Sequence, residues 1–516
     1  MGMGFWQIAS EDPEHLALVE PDGTEHTAAQ LLASSNRLVH GLRALGLQAG
    51  DTVAAVLPNG APIVEIYLAA LQAGWYVVPI NYHLVAPEIA YILTDSEAKA
   101  FIGHERLAEE CRKAVETAGF PEDARFAVGE IDGFRPYTEL KDGQPDKLPE
   151  DRASGAVMTY TAGTTGLPKG VRRPLPVVDP DTNGAMYGSF LALFGINHGD
   201  DNVHLTVAPL YHTAVVNFTI QSLHLGHTAV LMDRWTPEET LRLIERYRVT
   251  TSHMVPTMFH RLLALPEEDR ERADVSSLRH MIHSAAPCPV ETKQRMLDWW
   301  GPVIDEYYAA SEGGGTLVTP QQWLEKPGTV GKAWPISEVK VLDDDGNVLP
   351  AGESGTIWMK MGDLRFEYNK DPDKTKKTWS EDGFFTVGDI GYMDEDDFLF
   401  LNDRKADMII AGGVNIYPAE VENALMLHPK VADAAVFGIP HEDLGEEVKG
   451  VIEPVDGAEP GPELEREILE YLSERVAKYK LPRSIDFIDE MPRDPNGKLY
   501  KRRLRDPYWA GRERAI

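Results

Sequence analysis

Helical and strand-like patterns alternate along roughly the first 400 residues, and this alternation limits the folds that the chain can adopt. Apolar residues at helical spacing over 64–73 stop at Gly74, and a continuous apolar run follows from Trp75 to Ile80. Such short runs are typical of buried strands in parallel sheets. Similar runs occupy 205–208 and 229–232, and Pro237 opens a helical pattern that ends near Tyr247. We therefore predict layered α/β sheets, mostly parallel.

Two later regions follow different patterns. Over 337–360, two strand-like segments are separated by turn clusters, which predicts a small antiparallel β unit. After about residue 403, helical patterns begin at Pro418 and Pro462, with strand-like runs at 434–439 and 448–452 between them. About 110 residues of this kind can form an α+β domain on their own. A large N-terminal domain and a small C-terminal domain are expected.

The charge of the chain narrows the possible partners. It carries 82 acidic and 50 basic residues, a formal net charge of −32. Such a surface repels nucleic acid and anionic lipid, so an anionic substrate needs a local site of Lys, Arg or backbone N–H groups. No apolar stretch is long enough to predict a membrane span. With only two cysteines, Cys111 and Cys288, a reducing cytoplasm fits better than a disulfide framework.

A glycine- and threonine-rich stretch is the most informative part of the sequence. Residues 160–170 read Tyr-Thr-Ala-Gly-Thr-Thr-Gly-Leu-Pro-Lys-Gly and follow a predicted strand. Glycines let the backbone approach a ligand, and its N–H groups, the threonine hydroxyls and Lys169 can all contact phosphate. A flexible surface loop is the alternative that composition alone would favour. The stretch is not a Walker A loop, because Gly170 follows Lys169.

The stretch resembles the signature loop of the adenylate-forming superfamily, which includes acyl- and aryl-CoA synthetases, peptide-synthetase adenylation domains and beetle luciferases. Other motifs of that superfamily follow in its order, and the resemblance extends from about residue 10 to 505. It implies that phosphate is contacted by Thr161, Gly163, Thr164, Thr165, Gly166 and Lys169.

Motifs in the middle of the chain extend the resemblance. His212, in Ala-Pro-Leu-Tyr-His, would lie near the carboxylate being activated. The segment Ser284–Pro287 resembles the one that packs along adenine, with Ser284 in place of the usual glycine, and would use Ala285, Ala286 and Pro287. The segment 307–312 resembles Tyr-Gly-x-Thr-Glu. It implies adenine stacking by Tyr308, an α-phosphate contact from Ser311, and Mg²⁺ binding by Glu312 together with Thr165. Gly313 to Gly315 would leave room for a bulky acid or end a strand.

The later motifs complete the implied site. Asp389 would accept hydrogen bonds from both ribose hydroxyls. Arg404 would contact ribose or phosphate, Gly412 and Gly413 would line the pantetheine path, and the loop tip at Lys498 would carry the lysine of the adenylation step. The resemblance implies a hinge at 403–408 between domains 1–402 and 409–516, with Ala406 where Asp or Lys is usual.

The resemblance implies an AMP-forming acid–CoA ligase that uses ATP, Mg²⁺ and CoA. The catalytic residues would be Lys498, His212 and Glu312, and the acid would be fatty, bulky or cyclic. The alternatives are an adenylating enzyme that acylates an amine or a carrier protein, a P-loop kinase, and an inactive relative. The oligomeric state is not readable from the sequence, and a homodimer is the candidate assembly.

Overall fold

The structure is a computed structural model, and it describes residues 4–161, 168–404, 407–412, 414–493, 497 and 499–510. Its internal contacts group the chain into two units. The first unit comprises Met1–Met254, Glu267–Ile282 and Asp363–Lys377, and the second comprises Val255–Pro266, His283–Gly362 and Thr378–Ile516. The division predicted at residue 402 and the hinge at 403–408 remain predictions.

The first unit contains the predicted parallel sheets. One sheet has only parallel neighbours, in the order Arg135–Pro136, Arg125–Val128, Ala98–His104, Thr52–Ala55, Tyr76–Pro79 and Ala156–Val157. A second sheet runs Thr251–Met254, Val203–Thr206, Thr228–Leu231 and Leu16–Val19, with Glu25–Thr27 antiparallel at its edge. The strand His280–His283 follows Thr251–Met254 in the order of this sheet.

Amphipathic helices connect and cover these strands. Thr236 caps the helix Pro237–Tyr247 by accepting a hydrogen bond from Glu239, and the helix has the bounds that the sequence predicts. Ala61–Ala73 is buried along almost its whole length, because it packs between layers. The other helices of this unit are Phe5–Glu11, Ala28–Ala44, Ala86–Asp95, Ala108–Ala118, Pro180–Gly188, Thr213–His224, Glu267–Arg272 and most of Pro372–Thr378.

The second unit begins with antiparallel strands. Ile304–Ala310 pairs with Gly313–Val318, which pairs with Lys332–Ala333. The predicted antiparallel unit is confirmed as a sheet in the order Ser337–Leu342, Gly355–Met361, Asp389–Met393 and Leu399–Arg404. The helices Pro256–Leu263, Val290–Trp300 and Pro320–Glu325 also belong to this unit.

The C-terminal part of the second unit has the predicted α+β composition. A long hairpin of Val431–His441 and Gly445–Pro454 extends through Ile409–Ala411 to Val414–Ile416, and Ser484–Phe487 pairs in parallel with Gly445–Pro454. The helices Pro418–Leu425 and Pro462–Ser473 pack on this sheet, and Lys501–Arg505 follows near the end of the chain. The predicted α/β fold class is confirmed.

No helix in the described part of the chain has both the length and the apolar character needed to cross a membrane.

We expect Ile468→Ala to lower the stability of the C-terminal core. Ile468 is fully buried among Val421, Leu425 and Ile452, and truncating such a side chain typically costs about 2–5 kcal/mol. Thermal unfolding followed by circular dichroism measures the effect. Glu470→Ala, at an exposed position of the same helix, is the matched control and should leave the transition unchanged. Equal transitions for both variants would contradict the assignment of this core.

Candidate active site

A tyrosine, an aspartate and an arginine meet in the second unit. The Tyr308 hydroxyl donates a hydrogen bond to Asp389 Oδ2 at 2.7 Å, and Arg404 Nε lies 3.3 Å from Asp389 Oδ1. Tyr308 lies near the end of the strand Ile304–Ala310, whereas Asp389 and Arg404 are cross-strand partners. The structure therefore brings together three of the residues that the sequence predicts for a nucleotide site.

Burial and neighbouring charges keep both Tyr308 and Arg404 protonated. Burial, together with Asp389, raises the pKa of the Tyr308 hydroxyl, so that it stays protonated and donates. The Asp389 carboxylate raises the pKa of Arg404. Glu312, which is buried in the turn after Tyr308, also acts on Tyr308 and Arg404 electrostatically. The oxygens of a carboxylate such as Glu312 are ligands of the kind that Mg²⁺ prefers.

The segment predicted to contact adenine has an unusual backbone. Ala285 has φ of 74°, a left-handed conformation that costs a residue with a Cβ about 1–2 kcal/mol. Ala285 and Pro287 are exposed and Ala286 is half-exposed, so flat backbone is open to a ligand. Strained backbone of this kind concentrates at functional sites. The Ser284 side chain reaches the Tyr307 hydroxyl, which links this segment to the strand of Tyr308.

Lys293, Glu306 and His283 form a buried ion cluster next to these two segments. Lys293 Nζ is 2.6 Å from Glu306 Oε2, and His283 Nε2 is 3.3 Å from the same oxygen. His283 precedes Ser284, and Glu306 lies two residues before Tyr308. Burial would raise the pKa of Glu306, but Lys293 and His283 lower it to about 2. Sequence reasoning missed this cluster, because a lysine on an amphipathic helix is usually solvated.

The glycines after Glu312 do not provide the room predicted for a bulky acid. They begin the strand Gly313–Val318 rather than end one. A Cβ at Gly315 would lie 2.3 Å from the Tyr308 carbonyl oxygen and 2.8 Å from the Trp334 ring. A Cβ at Gly314 would lie 3.0 Å from that of Met359. At these two positions the missing side chains are required by packing, and the interpretation as pocket space is wrong there.

In the first unit, the predicted phosphate stretch is framed by a hairpin. Lys169 pairs across the ladder with the backbone of Thr161, and the strand Lys169–Arg172 also pairs with Glu367–Tyr368. The Lys169 ammonium forms an ion pair with Asp371, which the sequence analysis did not foresee. The side chain of Thr161 and the residues Gly163, Thr164, Thr165 and Gly166 lie outside what the structure describes, so their predicted roles are untested.

The segment that carries His212 is held by two buried side chains. The Asn59 amide donates to the carbonyls of Ala208 and Met232, at 3.0 and 2.9 Å, and accepts from Leu210 N at 2.8 Å. The Tyr67 hydroxyl donates to the Leu210 carbonyl at 2.7 Å. His212 occupies the position immediately before the helix Thr213–His224. No local pattern marks Asn59 as a clamp, because its partners are distant in sequence.

The remaining predicted residues are only partly described. Gly412 has φ of 58°, and its N–H donates to the Leu444 carbonyl at 2.8 Å. Ser311 lies half-exposed in the turn before Glu312. Gly413, Ala406 and Lys498 fall outside the described residues. The described residues contain no group of three or more His, Cys, Asp or Glu side chains that could hold a metal ion.

The chain matches the AMP-binding enzyme family over residues 5–364 and its C-terminal domain over 420–498. The chain belongs to the AMP-binding enzyme family. It is 34% identical to a feruloyl-CoA synthase from an Amycolatopsis species, over 98% of both chains. It is 32% identical to the long-chain-fatty-acid–CoA ligase FadD13 of Mycobacterium tuberculosis, over 99% of both chains.

Solved structures agree with this assignment. The chain superposes with a TM-score of 0.81, at 28% identity over 98% of both chains, on the o-succinylbenzoate CoA synthetase MenE of Bacillus subtilis, which was solved with its acyl-adenylate intermediate. The predictions of family, of an AMP-forming acid–CoA ligase, and of ATP and CoA as substrates are confirmed. The individual residue roles remain predictions.

We expect Lys293→Met to destabilise the protein by about 3–5 kcal/mol, because it leaves the Glu306 carboxylate buried without its cation. Replacing both partners, as in Lys293→Met with Glu306→Leu, should recover most of the loss. Urea unfolding of the purified variants measures both. Arg295→Met, at an exposed position of the same helix, should change stability by less than about 0.5 kcal/mol.

The same cluster predicts that the free energy of unfolding decreases at acid pH. The folded pKa of Glu306 is about 2, below its unfolded value of about 4.3. Its contribution is therefore present above pH 4.3 and is lost as the pH falls toward 2. The Lys293→Met variant should show a shallower loss over that interval. If the free energy of unfolding falls as steeply in the variant as in the parent protein, the pairing of Lys293 with Glu306 is contradicted.

Proposed function

We propose that this chain joins a hydrophobic carboxylic acid to CoA in two steps. In the first step the carboxylate oxygen attacks the α-phosphorus of ATP, and the bond to pyrophosphate breaks. In the second step the CoA thiol loses its proton and attacks the acyl carbonyl, and AMP leaves. The family match over both parts of the chain carries this proposal, together with the cluster of Tyr308, Asp389 and Arg404.

The first step brings two anions together, so cations and positioning are what the protein must supply. We assign the β- and γ-phosphates to the 161–169 hairpin, where Lys169 would exchange Asp371 for phosphate oxygens. Glu312 would hold Mg²⁺, with Thr165 as a second ligand. Mg²⁺ neutralises charge on the phosphates when it is bound. Lys498 would bridge the carboxylate and the α-phosphate.

Asp389 is the proposed ribose anchor. Its two oxygens can accept both ribose hydroxyls while Tyr308 and Arg404 fix the orientation of the carboxylate. The exposed backbone of Ala285, Ala286 and Pro287 would pack against adenine, and Ser311 would contact the α-phosphate. His212, at the start of a helix, would face the carboxylate of the acid.

The acid is proposed to be fatty or aromatic. The relatives named above act on a feruloyl group and on long-chain fatty acids. The helix that would line the acyl site, Thr213–His224, begins with mostly apolar side chains.

We also propose that the chain is divided into domains 1–402 and 409–516, which rotate about a hinge at 403–408. Gly412 and Gly413 would lie beside the path of pantetheine. A cytoplasmic setting fits two unpaired cysteines, and a homodimer is the candidate assembly.

We expect Asp389→Ala to raise the KM for ATP about 10- to 100-fold, since a hydrogen bond to a charged group is worth about 1.5–3 kcal/mol. The specific readout is the preference for ATP over 2′-deoxy-ATP and 3′-deoxy-ATP. That preference should shrink in the variant, because its acceptor is gone.

Asp396→Ala removes an exposed carboxylate that pairs with Lys326, and it serves as the control, with unchanged preference. If Asp389→Ala discriminates against the deoxynucleotides as strongly as the parent protein, the ribose assignment is wrong.

The overall proposal is tested by product analysis. The protein is mixed with ATP, Mg²⁺ and CoA, and with a panel of short, long, aromatic and steroid-like acids. AMP together with an acyl-CoA is expected for the fatty or aromatic acids. Acyl-adenylate without acyl-CoA would indicate a different acceptor such as an amine. ADP, or no turnover with any acid, would overturn the proposal.

Lys498→Ala should abolish formation of acyl-adenylate but spare thioester formation from synthetic acyl-adenylate and CoA. Pyrophosphate release and acyl-CoA formation report the two steps separately. Intact adenylation in this variant would remove Lys498 from the mechanism.

A further inference from the structure

A short hairpin brackets the loop that leads to Lys498. The N–H of Tyr500 donates to the Pro492 carbonyl at 2.8 Å, and Arg493 lies opposite Leu499 in an antiparallel bridge. A backbone hydrogen bond therefore joins the chain on the two sides of Lys498. Gly497, the residue immediately before Lys498, is the described residue inside this bracket.

The Arg493 side chain spans from this loop to the neighbouring sheet. Its Nη1 donates to the Gly497 carbonyl at 2.6 Å. Its Nη2 donates to Asp433 Oδ1 at 2.8 Å, and its Nε donates to Asp433 Oδ2. One guanidinium thus holds the carbonyl of Gly497 and a carboxylate at the same time, which its planar fork allows and an ammonium does not.

Asp433 is a rigid anchor for this contact. It lies on the strand Val431–His441 and is only 3% exposed. Its Oδ1 also accepts the N–H of Ala434 at 2.8 Å. A buried carboxylate whose oxygens are all engaged has little freedom to rotate, so the guanidinium bound to it is fixed relative to the sheet.

Gly497 itself has no room for a side chain. Its φ is 75°, and a Cβ there would lie 2.7 Å from Thr257 Oγ1 and 2.8 Å from Val255 Cγ2. The backbone at this position is therefore confined by packing on one side and by the Arg493 hydrogen bond at its carbonyl.

We propose that Arg493, anchored by Asp433, is a positioning residue for the adenylation step, because it fixes the backbone from which Lys498 extends. The inference rests on the role proposed above for Lys498. Arg493 does not contact the reacting atoms in this arrangement. It acts through the carbonyl of Gly497.

A positioning role predicts a loss confined to one half-reaction. Arg493→Lys keeps the positive charge near Asp433 but cannot make all three contacts. We expect the rate of acyl-adenylate formation to fall about 10²-fold, which is the scale of a displacement of about 1 Å at a reacting group. Thioester formation from synthetic acyl-adenylate and CoA should be unchanged. Asp433→Asn should reproduce the same selective loss.

A matched control separates this role from general stability. The buried Lys449 forms another ion pair in the same sheet, with its Nζ 2.6 Å from Oδ1 of the exposed Asp486 and 3.0 Å from Ser484 Oγ. Lys449→Met should lower the unfolding temperature while affecting both half-reactions alike. If Arg493→Lys also lowers both half-reactions in proportion, or leaves adenylation unchanged, the inference is overturned.

A double-mutant cycle distinguishes failure of the inference from failure of the role of Lys498. The cycle uses Lys498→Arg, which keeps a cation and should leave a measurable residual rate of adenylation. With Lys498→Arg in place, adding Arg493→Lys should lower that rate by less than it does in the parent protein, because its effect passes through Lys498. Additive losses would show that Arg493 acts elsewhere and would overturn the inference alone. Intact adenylation in the single Lys498→Ala variant would overturn the proposed role of Lys498, and the inference with it.

Discussion

The hydrogen bond from Tyr308 to Asp389 joins two strands of the second unit that belong to different sheets, at the place where the nucleotide is proposed to bind. One partner comes from an antiparallel strand that begins in the core, and the other is the first residue of the strand Asp389–Met393. Arg404 pairs across the ladder with Asp389, so its guanidinium is placed by the same register. The ribose and phosphate contacts proposed for Asp389 and Arg404 depend on this meeting point.

Three of the cations to which the proposals give a role are paired with carboxylates of the same chain. Lys169 is paired with Asp371, Arg404 with Asp389, and Arg493 with Asp433. In a chain with a net charge of −32 this is expected, because few cations must serve many anions. Binding of a polyphosphate at Lys169 therefore means an exchange of partners. The Arg493 pair is more deeply buried, which suits a fixed anchor rather than an exchangeable contact.

Where the signal was local, the sequence predicted the structure well. The helix Pro237–Tyr247 has a threonine cap, an N-terminal proline and a regular apolar face, and all three are short-range features. Gly315 shows the opposite case. Its neighbours in sequence suggest an open pocket, but its Cβ position is filled by Trp334 and by the Tyr308 carbonyl, which no local pattern reports.

The sequence alone was enough to predict the alternation of strands and helices, the order of the motifs and the residues that are proposed to bind phosphate, ribose and metal. These follow from side-chain chemistry and short-range periodicity. Which charges form ion pairs, and which backbone groups are bound by side chains, depends on the tertiary structure. The clamp of Asn59, the buried Lys293–Glu306 pair and the contact from Arg493 to Gly497 are examples. Apart from Arg493 and Gly497, these contacts join residues far apart in the chain, and each becomes favourable only when packing excludes water and leaves a polar group one partner to find.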